Sequence, residues 1–255
     1  MAYLRLRQVC LVARELATPV ADLEHILDLH VCHRDENLSR YGLENVIFPI
    51  ADRFVEIVAP IRPDTTAERF LERSGDQGGY MAIFDCDDPE ARADHCAGLG
   101  VVEVNRMRIA NYLGVQLHPR DCRAAMIEFN HTEGGDNLDG PYWPAGPNWR
   151  GARHSTVIRA LVGVDLETPE PEDLATHWSH LLALPLNTGG SSPTLTPGGI
   201  ELRFLRGESQ RESLSALRLT VDDPDAVLAR AEQRGYPADE GAFLLAGMRW
   251  RPDIA

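Results

Sequence analysis

Two stretches far apart in the chain, CDDPEARADHCAGLG from Cys86 to Gly100 and VDDPDAVLARAEQRG from Val221 to Gly235, follow one plan. Each enters a helix through Asp-Asp-Pro, where an aspartate can cap the first turn and proline sits where its missing N–H costs nothing. Each leaves through glycine, and each follows a strand-like run, GYMAIF in one case and SALRLTV in the other. Repetition on this scale confines the chain to folds assembled from copies of one supersecondary unit.

The rest of the sequence fills in that unit. LRLRQVCLVA reads as a strand, and TPVADLEHILDL as a helix with Thr18 as N-cap, Pro19 first and Val20, Leu23, Ile26 and Leu27 on its apolar face. Strands are expected over Arg40 to Leu43 and Val46 to Ile50, followed by RFVEIVAP from Arg53 to Pro60. The order β, α, β, β, β then recurs through GYMAIFDCDD, the first Asp-Asp-Pro helix, VEVNRMRIA, YLGVQLH and CRAAMIEFN. Residues 1–132 are therefore expected to form one domain of two copies, 133–152 a Gly-, Pro- and Trp-rich connection, and 153–255 a second, degenerate domain. The expected fold class is α+β, with tandem βαβββ modules whose open, U-shaped mixed sheets leave a concave face.

Composition narrows the function. A net charge of -14 and a pI near 5.0 repel a phosphate backbone, so nucleic acid is not an expected partner. No apolar run is long enough to cross a bilayer, and no signal peptide opens the chain, so no membrane partner and a cytoplasmic location are expected. All the basic residues are arginine, which excludes lysine Schiff-base chemistry. The 5 cysteines include no CxxC, and their odd number suits a reducing compartment.

Glu56 and Glu128 stand out because each interrupts an otherwise apolar strand, RFVEIVAP or AAMIEFN, at an equivalent place in the two copies. An unpaired buried carboxylate is costly, so it needs a partner or a purpose. If Gln8 on the first strand shares the same hollow, the three oxygen donors make a hard ligand set for Mg, Mn, Fe, Ni or Zn. The competing reading places each glutamate at a sheet edge, solvated or paired with arginine.

These residues and the unit order resemble the vicinal oxygen chelate superfamily, which includes glyoxalases, epimerases and extradiol dioxygenases. The stretch from Phe48 to Asp88 looks especially like methylmalonyl-CoA epimerases. The resemblance implies a divalent ion held by one side chain from each of four strands, with Gln8, Glu56 and Glu128 at three of those places. The fourth, normally histidine, falls on Met81, a poor ligand for a hard cation. The resemblance further implies an enediolate-type reaction on a small oxygenated substrate, with Glu128 moving the proton. Met81, at that fourth place, and His118, at a strand end next to a turn that returns toward Glu128, are the expected substrate contacts. His118 at the pocket rim could replace the missing ligand. Two functions stay open: a metal-dependent isomerase or lyase, or a non-catalytic protein that binds or sequesters a small molecule after losing its metal. A homodimer is possible. The extradiol enzymes place two His and a Glu in their second domain, where this chain has no equivalent.

Three other features have plain readings. His30, Cys32 and His33 follow a helix end and suit a surface cap, His177 and His180 suit a solvated helix face, and GGSSPTLTPGG lacks the lysine of a phosphate loop and suits a hairpin connection.

Overall fold

The computed structural model describes residues 3–76 and 78–254. In chain order the first module holds strand β1 (Leu4–Val12), helix α1 (Ala17–Leu27), β2 (Leu43–Ile50) and β3 (Arg53–Pro60), and helix α2 (Thr66–Ser74) follows it. The second holds β4 (Gly79–Cys86), α3 (Pro89–Gly98), β5 (Glu103–Ile109), β6 (Tyr112–Leu117), the one-turn α4 (Pro119–Cys122) and β7 (Met126–Thr132). The third holds β8 (Ile158–Thr168), α5 (Pro171–Leu182), β9 (Thr194–Leu195) and β10 (Glu201–Arg206). The fourth holds β11 (Ser213–Val221), α6 (Pro224–Gln233), β12 (Phe243–Leu245) and β13 (Met248–Ile254). This is the expected α+β fold of tandem modules, with mixed sheets.

The repeated helix entries form as their sequence dictates. Asp88 accepts the Ala91 N–H and Asp223 the Ala226 N–H, both with proline in the first turn. The exits match as well, since Gly100 and Gly235 take φ of 86° and 88°, where a side chain would be strained. Two local expectations need correction. Thr18 does not cap α1, which starts at Ala17; instead the Glu15 carboxylate accepts the Thr18 N–H, so the longer acidic side chain does the capping. Arg40 to Leu43 is not a separate strand. A 3-10 helix over Glu36–Tyr41, capped by Asp35, takes most of it, and Leu43 opens β2.

Compactness groups the modules across the two halves of the chain. The first unit combines β1 up to Gln8, residues 81–143 with β5, β6 and β7, and residues 163–215 with α5, β9 and β10. Within it β4 pairs parallel to β7, β7 antiparallel to β6, β6 antiparallel to β5, and β8 parallel to β10. Its core is an aromatic chain running from Phe129 to Phe84, Trp178 and Phe204, anchored by a Trp178 indole bond to the Cys122 carbonyl at 3.0 Å. His177, on the same helix, is half-buried and bonds the Asp121 carbonyl at 2.8 Å, so that histidine is tied down and not simply solvated.

The second unit combines residues 9–80, 144–162 and 216–255, thus α1, β2, β3, α2, α6, β12 and β13. Here β2 pairs antiparallel to β3 and β11 parallel to β13. Asp22 of α1 is buried and bonds Arg234 and Tyr236 beyond α6, while the buried Trp149 packs edge-on against Phe54 with ring centroids 5.2 Å apart. At the end of α1, His30 pairs with Asp28 and stacks on His154, which agrees with a capping role.

Candidate functional site

Strand alternation divides β7 cleanly. Ile127 and Phe129 turn to the apolar core, leaving Met126, Glu128 and Asn130 on the other face. Register then fixes the company Glu128 keeps. Ile83 lies opposite it on β4 and Gln116 on β6, with Met81 opposite Met126 and Asp85 opposite Asn130.

Glu128 is buried, at 4 % exposure, and three neutral donors hold it. The Tyr112 hydroxyl donates to Oε1 at 2.7 Å, Asn130 Nδ2 to Oε1 at 3.1 Å, and Gln116 Nε2 to Oε2 at 2.8 Å. Gln116 is steadied in turn by Asn105, whose Nδ2 donates to its Oε1 at 3.1 Å. Burial raises the Glu128 pKa, and the bonds from Gln116, Tyr112 and Asn130 oppose that rise. Burial and the neighbouring Glu128 charge together push the Tyr112 phenol well up, so it stays a donor.

The Gly- and Trp-rich connection supplies the next layer. Asn130 Nδ2 also meets the Tyr142 hydroxyl at 3.3 Å, Arg7 lies over the Tyr142 ring, and its Nη2 bonds the Leu138 carbonyl at 2.6 Å. Trp143 stacks on Tyr112 at 4.8 Å. Beside them, Arg5 Nε and Nη2 bond Asp85 Oδ2 at 2.8 and 2.6 Å, while Nη1 reaches the Asp136 carbonyl at 2.9 Å.

The first unit thus brings Glu128 and Met81 to one face of paired strands, and Gln8 is buried in the same unit. Glu56 belongs to the second unit, where Asn45 Nδ2 donates to its Oε1 at 2.6 Å from the neighbouring strand. His118 caps α4, its Nδ1 accepting the Arg120 N–H at 3.1 Å. Tyr112, Gln116, Asn130 and Tyr142 were not among the expected site residues. Strand alternation is the signal that puts Asn130, two places after Glu128, on its face, whereas Gln116 and Tyr112 need the β6–β7 register.

A cleft of about 350 Å³ opens in the first unit, lined by Asp87, Asp88, Glu90, Arg108, Tyr112 and His131 among others. Its acids are largely committed, since Asp88 caps α3 and Glu90 bridges Arg106 and Arg108.

A divalent ion, which the superfamily commonly holds, fits this environment poorly. Glu128 already accepts three hydrogen bonds, and its face offers the thioethers of Met81 and Met126 where an imidazole would be needed. Among the described residues, no group of three or more His, Cys, Asp or Glu is placed to hold a metal.

Repeated βαβ-type modules in mixed sheets, with a buried glutamate on the last strand of the second, define a protein of the glyoxalase-like class. The chain belongs to the glyoxalase-like domain family, whose model matches residues 9–182. It is similar in structure to a hypothetical protein from Staphylococcus aureus, with a TM-score of 0.69, 11% identity and 99% of each chain covered. It is also similar to a mutant 4-hydroxymandelate synthase from Streptomyces coelicolor, with a TM-score of 0.64, 14% identity, 92% of this chain and 76% of that one. Methylmalonyl-CoA epimerase from Streptomyces coelicolor aligns over 50% of this chain and 96% of its own at 20% identity and a TM-score of 0.45. No curated protein matches the chain. The family places the chain in the vicinal oxygen chelate superfamily, and no helix among the described residues is long and apolar enough to cross a membrane.

Proposed function

We propose that the protein is a glyoxalase-like isomerase or lyase that moves a proton next to a carbonyl of a small oxygenated substrate, with Glu128 as the group that carries it. The observation behind this reading is a wholly buried carboxyl whose pKa is raised by burial and whose orientation is fixed by Tyr112, Gln116 and Asn130. A proton carrier works best when its pKa approaches the working pH, and desolvation moves a carboxyl in that direction. Fixed orientation adds to this, because a clamped carboxyl loses no rotamer freedom when it meets the substrate.

In this reading Glu128 takes the proton on Oε2, the oxygen with one bound donor. Tyr112 and Asn130 steady Oε1 as the charge on the carboxyl changes. Met81 and His118 are retained as substrate contacts, Met81 because it shares the Glu128 face. Gln8 and Glu56 remain candidate oxygen donors, and the working residues all come from 1–132. A cytoplasmic setting suits the five free thiols. The second reading, a binding protein without catalysis, is favoured by the same Met81, since proteins of this superfamily that chelate vicinal oxygens need a metal.

Deuterium exchange tests the proposal. The protein is incubated in D2O with a panel of α-hydroxy ketones, α-keto acids and α-branched acyl thioesters, and loss of the α-proton is followed by NMR. Exchange by the wild type that disappears in Glu128→Gln is the expected result. Binding of panel members by thermal shift, with no exchange in any of them, selects the second reading.

A further inference from the structure

We propose that Glu128 works without a metal ion, because Tyr112, Gln116 and Asn130 occupy it with the hydrogen bonds that take the place of a divalent cation. The inference deepens the proposed function and rests on it only for the role of Glu128.

Lone pairs decide the matter. A carboxylate offers about four acceptor positions. Two on Oε1 are filled by Tyr112 and Asn130, and one on Oε2 by Gln116, so a single position stays open. None of the three donors can swing aside cheaply. Tyr112 is buried and stacked on Trp143, Gln116 is tethered by Asn105, and Asn130 is shared with Tyr142.

What else the face could offer an ion is weak. Ile83 lies directly across from Glu128, and Met81 and Met126 face each other one pair away. Thioethers suit soft ions such as Cu(I), whereas a hard divalent centre requires about three nitrogen or oxygen ligands from the protein. Asp85, opposite Asn130, is already committed to Arg5, and the Asn130 Oδ1 is a buried oxygen with no hydrogen-bond partner among the described residues. The charge of Asp85 is neutralised by Arg5, and from β7 itself one amide oxygen and one open carboxylate position supply at most a single negative charge. Such a pair suits a ligand O–H or N–H better than a dication.

The chain is purified without chelators, its metal content is measured, and Co(II) is added while its visible absorption is followed. The δ-carbon of Glu128, labelled with carbon-13 and assigned by its loss in Glu128→Gln, is titrated in parallel. Expected are metal well below one equivalent, no Co(II) band that depends on Glu128, and a titration midpoint indifferent to EDTA. The midpoint should rise in Tyr112→Phe and again in Gln116→Leu, since each removes a bond to the charged form. Either variant suffices if the other fails to fold. One equivalent of metal that vanishes in Glu128→Gln, or a midpoint that moves on adding EDTA, overturns the inference. Deuterium exchange separates the two ideas: exchange with bound metal sinks this inference and leaves the proposed function standing, and no exchange in a metal-free protein does the reverse.

Discussion

Arg5→Met probes the most heavily committed charge pair in the first unit. The Arg5 and Asp85 side chains are only 10% and 3% exposed, and the guanidinium also holds the connection through the Asp136 and Gly135 carbonyls. Methionine keeps most of the volume and leaves Asp85 buried without its cation. Breaking such a pair costs about 3–5 kcal/mol, and each lost carbonyl bond adds about 1 kcal/mol unless water replaces it. A loss of about 4 kcal/mol is therefore expected, a large part of the roughly 5–15 kcal/mol that holds a typical domain together. Burial already raises the Asp85 pKa, with Arg5 opposing, and removing Arg5 raises it further. The folded state then binds more protons than the unfolded one, so the variant loses stability as pH rises through the raised pKa and regains part of it in acid. Urea unfolding at neutral and mildly acidic pH measures both effects, and Arg5→Met combined with Asp85→Leu should recover most of the loss. A cost under about 1 kcal/mol, equal at both pH values, would refute the reasoning, because it would mean that Asp85 never needed its partner.

Four further outcomes are expected. Glu128→Gln should flatten the pH dependence of the melting temperature: the wild-type carboxyl has a raised folded pKa and loses stability as pH rises through it, and the amide cannot. Gly198→Ala should destabilise by about 1–3 kcal/mol in urea, because φ is +62° and the new Cβ would sit 2.1 Å from Arg5 Cβ. Asp223→Ala should cost about 1 kcal/mol in thermal unfolding and Asp223→Asn much less, since the Ala226 N–H needs only an oxygen acceptor. Trp149→Ala should cost about 3–5 kcal/mol by removing a fully buried ring from the face of Phe54, again measured in urea.

Much of the fold was legible because its signals are local. Asp88, Asp223, Gly100 and Gly235 mark helix ends through bonds and dihedrals within a turn or two of themselves. Helix α2 carried the same kind of signal unread: Thr65 accepts the Glu68 N–H, and Glu68 reaches back to the Asp64 N–H. The segment over Arg40 to Leu43 misled because its residues suit either state and Asp35, outside the window, settles the matter. The grouping of modules could not be read, since duplication reveals copies and says nothing of which copies pack together. At the site, Glu128 announced itself as a charge in an apolar strand. Its donors did not, because Tyr112 and Gln116 meet it only through a register that no short pattern encodes.

The interleaved grouping of segments bears on how the chain matures during synthesis. Translation delivers the N-terminal end first, and domains generally consolidate as their last piece emerges. The residues grouped in the first unit end at Ser215, whereas the second unit waits for α6, β12 and β13. Until then the buried Asp22 of α1 stands without Arg234 and Tyr236, a window in which a chaperone would find its client.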